Sequence, residues 1–162
     1  MKKHLSFISL LMVICTLLST LTGCFSSEPE DKEFSKAGFT ITLNDDFTEH
    51  NIVTHTAYYV STSSIVTALK EDGTTIADYT VKDYAELTCT VNNFSTDIVS
   101  AKDGYAEFTY EKEVNGKDYY YYARCFKNGT DFWLIQFACE TKDKDDFTEL
   151  FDKWASSVKF EQ

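Results

Sequence analysis

Positive charge is scarce in this 162-residue sequence, in which 15 lysine and arginine residues stand against 26 aspartate and glutamate residues, a formal net charge of −11. Nucleic-acid binding relies on basic contacts to phosphate, so this balance argues against a nucleic-acid partner. It also disfavours electrostatic adhesion to anionic lipid head groups. We attribute the acidity to solubility.

Proline and glycine are also rare, with one proline and six glycines, and the sequence has no internal repeat. Tyrosine and phenylalanine are instead abundant, with 10 and 13 copies. This composition excludes a disordered chain and indicates a globular domain with many strands. The residues from Phe34 onward suffice for one domain of ordinary size.

The common catalytic motifs are missing: there is no Gly-x-Ser-x-Gly, no phosphate-binding glycine loop and no Cys-x-x-Cys. A cysteine–histidine pair could be assembled from Cys89 or Cys125 with His50 or His55, but no local signature supports one. We therefore predict that the protein is not an enzyme. An enzyme with a cryptic site of this kind is an alternative.

Metal-binding patterns are also missing. His50 and His55 lie five positions apart, and a strand would turn them to opposite faces. Asp143, Asp145 and Asp146 lack the glycine and the distal ligand of a calcium loop, and the start of a helix explains them better. We predict no metal and no cofactor.

The N-terminal segment has the features of an export signal. Two lysines precede the uncharged run 5–21, which is shorter and richer in hydroxyls than the about 20 apolar residues of a membrane-spanning anchor. "LTGC" at its end resembles the bacterial lipobox, in which the cysteine receives a lipid and becomes the first residue. We predict cleavage between Gly23 and Cys24 and lipid attachment at Cys24. An ordinary signal peptide with an incidental cysteine is the alternative.

This interpretation sets the domain organisation and the location. Residues 1–23 are a lipoprotein signal peptide, residues 24–33 a lipidated, solvated tether, and residues 34–162 a single domain. Two acyl chains on Cys24 would hold that domain at the extracytoplasmic face of a bacterial membrane.

Five cysteines are present, and three remain after Cys15 leaves with the signal and Cys24 is lipidated. These are Cys89, Cys125 and Cys139, so at most one intramolecular disulfide forms. Strand counting places Cys125 and Cys139 on opposite faces and over about 20 Å apart. A disulfide would therefore join Cys89 to one of them, and three buried thiols are the alternative.

Alternation and turn signals predict six strands and two helices. "GFTITL", "AYYVST" and "SIVTALKE" alternate as strands, and "TVKDYAELTCTV" has helical spacing with Thr80 as N-cap. "YAEFTY", "KDYYYYARCF" and "DFWLIQFACE" are strands joined by tight turns at Asn115-Gly116 and Asn128-Gly129. Counting from these turns places Glu107 opposite Arg124, Phe108 opposite Ala123, and Ala123 opposite Leu134.

Both faces of this sheet are apolar. One face carries Ala106, Phe108, Tyr110, Tyr119, Tyr121, Ala123, Cys125, Phe132 and Leu134. The other carries Tyr120, Tyr122, Phe126, Trp133, Ile135, Phe137 and Cys139. Each face needs a cover, and the amphipathic "DKDDFTELFDKWASSV" supplies a second helix. We predict an α+β fold, a three-layer α/β/α sandwich around an antiparallel sheet.

Several stretches resemble the PsbP-like superfamily, which includes photosystem accessory proteins, a nuclear-transport cofactor family and many bacterial lipoproteins. They are "SKAGFTITLNDDF", "IVTALKE", "KDYAELT", "DGYAEFTYEKEVNGKDYYYYARCFKNGTDFWLIQFAC" and "FTELFDKWASSVKF". The resemblance covers nearly the whole domain and implies the same sandwich and a binding or assembly role. It carries over no site residues.

The leading hypothesis is a non-enzymatic, membrane-anchored extracytoplasmic lipoprotein that serves as a binding or assembly module for a protein or envelope component. The main alternative is a small-molecule-binding domain with a pocket between the sheet and one helix. Its lining would include Tyr120, Tyr122 or Trp133.

Overall fold

The computed structural model describes residues 29–94, 96–100 and 104–161. Along these residues the secondary-structure elements are β1 (Asp31–Lys36), β2 (Phe39–Asn44), β3 (Thr48–His50), β4 (Ala57–Val60), β5 (Ser64–Asp72), α1 (Val81–Asn92), β6 (Val99–Ser100), β7 (Tyr105–Val114), β8 (Lys117–Asn128), β9 (Asp131–Glu140), α2 (Lys144–Ser156) and β10 (Lys159–Phe160). Short 3-10 turns at Thr74–Ile76 and Thr141–Asp143 precede the two helices.

The strands form two antiparallel sheets. The larger has the order β3-β4-β5-β9-β8-β7-β6, and the smaller has the order β1-β2-β10. The strand predicted at "GFTITL" is β2, and it lies in the smaller sheet. It pairs with β1 along its full length and with β10 at Thr40 and Phe39.

β1 begins within the predicted tether. Residues 31–33 pair with β2 and therefore belong to the sheet, so the domain starts before Phe34. Their side chains are exposed, and Phe34 is the one buried residue of the strand. The charged stretch has no strand pattern of its own; the partner strand imposes the extended conformation.

The larger sheet is covered on both faces, which confirms the α+β fold and the predicted covers. α1 packs on one face, where its Tyr84, Ala85 and Cys89 join a core with Phe108 and Phe132. The opposite face is covered by α2 and by the smaller sheet together. That core includes Phe34, Phe39, Ile41, Leu43, Trp133, Ile135, Phe137, Phe151 and Trp154.

The β7–β8 register is the predicted one, with Glu107 opposite Arg124 and Phe108 opposite Ala123. Asn115 and Gly116 occupy the two turn positions with φ of 53° and 78°, as a tight hairpin with both residues left-handed requires.

The predicted β8–β9 register is wrong by two residues, because Ala123 lies opposite Gln136 and not Leu134. Asn128 stays in the strand opposite Asp131, so Gly129 and the residue after it make the turn. Cys139 accordingly lies opposite Tyr120. A slip of two residues keeps every side chain on its predicted face, since the side-chain period of a strand is two.

Both helices begin where their sequences indicate. The Thr80 hydroxyl accepts from the Asp83 backbone N–H at 3.2 Å, and the Asp83 carboxylate accepts from the Thr80 N–H at 2.8 Å. This capping box satisfies two otherwise unpaired donors. Asp145 and Asp146 lie in the first turn of α2, where acidic residues suit the helix dipole. The acidic cluster is therefore a helix start, as predicted.

Candidate functional site

The predicted lipidation site lies outside the described residues, which begin at residue 29: this applies to Gly23, Cys24 and the signal peptide. Among the described helices, none is both long and apolar enough to cross a membrane.

The aromatic residues expected to line a ligand pocket belong to the core instead. Trp133, Tyr120 and Tyr122 are 1%, 4% and 8% exposed. Tyr120 stacks on Phe151 of α2 with ring centroids 6.3 Å apart, and Trp133 packs against Phe39 at 5.2 Å. These rings fill the layer between the sheet and its cover. The expectation that they line a pocket between sheet and helix is therefore wrong.

The residues proposed for a cryptic catalytic site do not come together. His50 and His55 each contact the ring of Tyr58, at centroid distances of 6.4 and 6.0 Å. Cys89 lies instead in the core beneath α1, and no contact between described residues joins it to either histidine. Burial lowers the pKa of His55, which favours its neutral form.

The three remaining cysteines are free and buried, as the three-thiol alternative predicts. Burial raises the pKa of Cys89 to about 11 and that of Cys139 to about 12, and it raises the pKa of Cys125 well above its usual value. Because the thiolate is the reactive form, thiols with such pKa values are poor nucleophiles.

The most developed polar arrangement is the arginine cluster, which we define as Arg124 with Tyr105, Glu107, Tyr122, Asp152 and Ser156. Arg124 is the only arginine of the sequence, and it is 1% exposed. Its Nη2 donates to Glu107 Oε2 at 2.9 Å, to Asp152 Oδ1 at 2.7 Å and to the Tyr122 hydroxyl. Its Nη1 donates to Ser156 Oγ at 3.0 Å.

This cluster joins β7, β8 and α2 and leaves the guanidinium closed to solvent. The Tyr105 ring lies 3.9 Å from the Arg124 Cζ atom and covers it. Burial, followed by the hydrogen bond to Glu107, raises the pKa of Tyr122 and keeps its hydroxyl a donor. We interpret the cluster as structural, since the groups that the guanidinium binds all belong to the domain itself.

Sequence reasoning found the Glu107–Arg124 pair but missed the partners on α2. A lone arginine in the otherwise apolar run "YYYYARCF" was the available signal. A buried arginine requires more than one acceptor, so a second carboxylate was to be expected near it.

A pocket opens at one end of the larger sheet, and we call it the end pocket. Its volume is about 190 Å³, and its lining is Thr62, Ser63, Ser64, Ile65, Tyr119, Ala138, Cys139, Glu140, Lys142 and Asp143. Lys117 and Lys142 each bind one oxygen of Glu140, at 2.7 and 2.9 Å. These hydrogen bonds lower the pKa of Glu140 to about 2. The lining mixes apolar side chains such as Ile65 and Ala138 with hydroxyl and charged groups, as in many small-molecule sites.

No protein family and no curated protein matches the chain by sequence. Solved structures do match. CyanoP, the PsbP of Synechocystis sp. PCC 6803, is 14% identical, with 86% of this chain and 98% of that chain covered and a TM-score of 0.57. The Ran-binding protein Mog1p of Saccharomyces cerevisiae is 9% identical, with 82% and 96% covered and a TM-score of 0.55.

A protein of Bacteroides thetaiotaomicron is 14% identical over 81% of this chain, with a TM-score of 0.55; the chain spans about half of its length, 48%. At such identities the likeness shows a common fold and leaves function open. The chain therefore has the PsbP-like fold that its sequence resembles.

Proposed function

We propose that this chain is a non-enzymatic binding or assembly module, held by a lipid on Cys24 at the extracytoplasmic face of a bacterial membrane. Its partner is a protein or envelope component that binds the outer surface of the domain. The observation that carries the proposal is the start of β1 at Asp31, seven residues after Cys24.

A tether of this length keeps the domain close to the bilayer. Seven residues in an extended conformation span at most about 25 Å. The anchored end of the domain is also fixed, because Lys153 of α2 binds both carboxylate oxygens of Asp31, at 2.9 and 3.1 Å. Asp45 lies there too, since its carboxylate accepts from the Glu30 backbone N–H. The charges at this end are mixed, since Lys32 and Lys153 lie beside Asp31, so they provide no basic patch for anionic head groups and the lipid supplies the adhesion.

The interior of the domain is filled by side chains, so we place the partner on its surface. Aromatic side chains occupy the layer between the sheet and α2, and α1 seals the other face. Protein binding by this fold has a precedent in Mog1p, which is a Ran-binding protein.

The test compares the wild-type chain with Cys24→Ala, and with Cys15→Ala as a matched control that removes a cysteine outside the lipobox. We expect mass spectrometry of membrane-derived wild type and Cys15→Ala to show an acylated Cys24 as the first residue. We expect Cys24→Ala to lose both the lipid and the proteins cross-linked to the domain in intact cells. An N-terminus elsewhere without acyl mass, or cross-linked partners that persist in Cys24→Ala, overturns the proposal.

The end pocket favours a second candidate function, the binding of a small polar molecule. Its lining includes the exposed residues Thr62 and Ser63, whose hydroxyls can hydrogen-bond a polar ligand, beside the apolar Ile65 and Ala138. A ligand screen by thermal shift tests this function, with Ser63→Trp, a substitution of an exposed lining residue, as the blocked variant. A hit that stabilises both proteins equally binds elsewhere and counts against it.

A further inference from the structure

The outer edge of β7 is only partly covered. β7 pairs with β8 along all ten of its residues, from Tyr105 to Val114. On its other side β6 pairs with Ala106 and Glu107 alone. Beyond them the Thr96 hydroxyl donates to the Thr109 carbonyl at 2.6 Å.

The backbone groups of Glu111 and Glu113 point outward from this edge. In the tight hairpin Val114 and Lys117 form the hydrogen-bonded pair that closes the turn, so the even-numbered residues of β7 bond to β8. The odd-numbered residues then direct N–H and C=O away from β8, as the outward Thr109 carbonyl shows. Within 29–94, 96–100 and 104–161, no backbone hydrogen bond reaches the outward groups of Glu111 or Glu113.

The side chains beside this edge carry unbalanced negative charge. Glu113 lies directly opposite Asp118 of β8, and both side chains are exposed. Opposed like charges destabilise a sheet, most strongly in the closer, non-hydrogen-bonded pairs such as this one. Neither carboxylate forms an ion pair with another described residue, whereas Glu111 on the same face binds Lys144 at 3.0 Å.

We propose that the edge of β7 at residues 111–114 binds an extended basic segment of a partner protein as an added antiparallel strand. The segment places lysines or arginines two positions apart, opposite Glu111 and Glu113, and their backbone pairs with the outward groups of those residues. The residue between them lies opposite Lys112, so it is uncharged, because a third cation there would oppose that lysine. The inference rests on the proposed function, since it names the kind of partner that the module binds.

The alternative explanation is that charge on this edge only prevents aggregation, a common device on exposed strands. Two observations favour a partner. The uncovered residues 111–114 pair with β8 along their whole inner side, so they already have the extended conformation that an added strand requires. The Glu113–Asp118 repulsion is relieved by a cation placed from outside, which a purely protective role does not require.

The test uses the full-length chain in mild detergent and the fluorescent peptide acetyl-Lys-Val-Lys-Val-Lys-amide. A control peptide is N-methylated at its lysine backbone amides, which keeps its charge and removes the donors that pair with β7. The charge-reversing double variant Glu113→Lys/Asp118→Lys is matched with Asp46→Lys/Glu149→Lys, which makes the same change of charge at exposed sites elsewhere.

We expect saturable binding of the peptide to wild type, weakened about fivefold or more by N-methylation or by Glu113→Lys/Asp118→Lys, and little changed by Asp46→Lys/Glu149→Lys. Absence of binding, or equal weakening in both double variants, overturns the inference and leaves charge protection as the explanation. Failure of the peptide test does not by itself overturn the proposed function. If Cys24→Ala still loses both the lipid and its cross-linked partners, the anchored module remains supported, and its partner binds at another surface.

Discussion

Within the arginine cluster, we expect removal of Glu107 to destabilise the domain more than removal of the arginine itself. The Arg124 side chain is 1% exposed, whereas Glu107 is 27% and Asp152 is 65% exposed. Glu107→Ala leaves a buried guanidinium with Asp152 as its only carboxylate, and that partner is well solvated. Arg124→Met leaves two carboxylates that water already reaches. Glu107→Ala therefore leaves a buried charge with fewer partners, whereas Arg124→Met leaves two solvated charges.

The magnitudes follow from burial. Removing one partner of a buried ion pair costs about 3–5 kcal/mol, and since Asp152 remains we expect about 3 kcal/mol for Glu107→Ala. Arg124→Met loses a cation–π contact with Tyr105 and a hydrogen bond to Ser156, each worth about 1 kcal/mol. It also removes the cost of burying the guanidinium, so the net change is within about 1 kcal/mol.

Equilibrium unfolding of the full-length chain in urea, followed by tryptophan fluorescence, measures both free energies. Glu111→Ala is the control, because it removes an exposed carboxylate from the same strand and breaks one surface ion pair with Lys144. We expect the control to change the free energy of unfolding by less than about 1 kcal/mol. If Arg124→Met destabilises as much as Glu107→Ala, the reasoning from burial is refuted.

Three further predictions concern other parts of the domain. Gly73→Ala places a Cβ atom 2.1 Å from the Thr130 carbonyl oxygen, so we expect a loss of about 2–3 kcal/mol in urea unfolding; an unchanged midpoint contradicts this. The pKa of Glu140, about 2, lies below its ordinary value, so its contribution to stability is present above about pH 4 and is lost as the pH falls toward 2. Lys117→Ala should raise that pKa in a carboxyl NMR titration, and an unchanged pKa rules out the pairing. Burial raises the pKa of Cys139 to about 12, so alkylation of Cys139 at pH 8 should require unfolding of the domain. Rapid labelling of Cys139 in the native protein, mapped by mass spectrometry, refutes this.

Elements with strong local signals were predictable from sequence. The Thr80 capping box, the apolar stripe of α2 and the Asn115-Gly116 turn each depend on residues a few positions apart, and the structure contains all three. Face assignments in β8 and β9 were equally predictable, since they depend only on alternation.

Elements that depend on distant partners were not predictable in the same way. β1 is charged and becomes a strand because β2 offers it a full set of backbone partners. The β8–β9 register depends on whether Asn128 joins the strand or the turn, and a dipeptide signal alone leaves both open. The carboxylate of Asp152 reaches Arg124 only because α2 docks at one position on the sheet.

The smaller sheet unites the two ends of the domain. β2 lies between β1, which begins at Asp31, and β10, which ends at Phe160, and the Glu161 backbone N–H closes onto the Gly38 carbonyl at 2.9 Å. Both terminal strands depend on β2 for their backbone partners, so detachment of either one uncovers an edge of β2. The two ends of the domain should therefore open together in amide hydrogen exchange, even though they lie at opposite ends of the described chain.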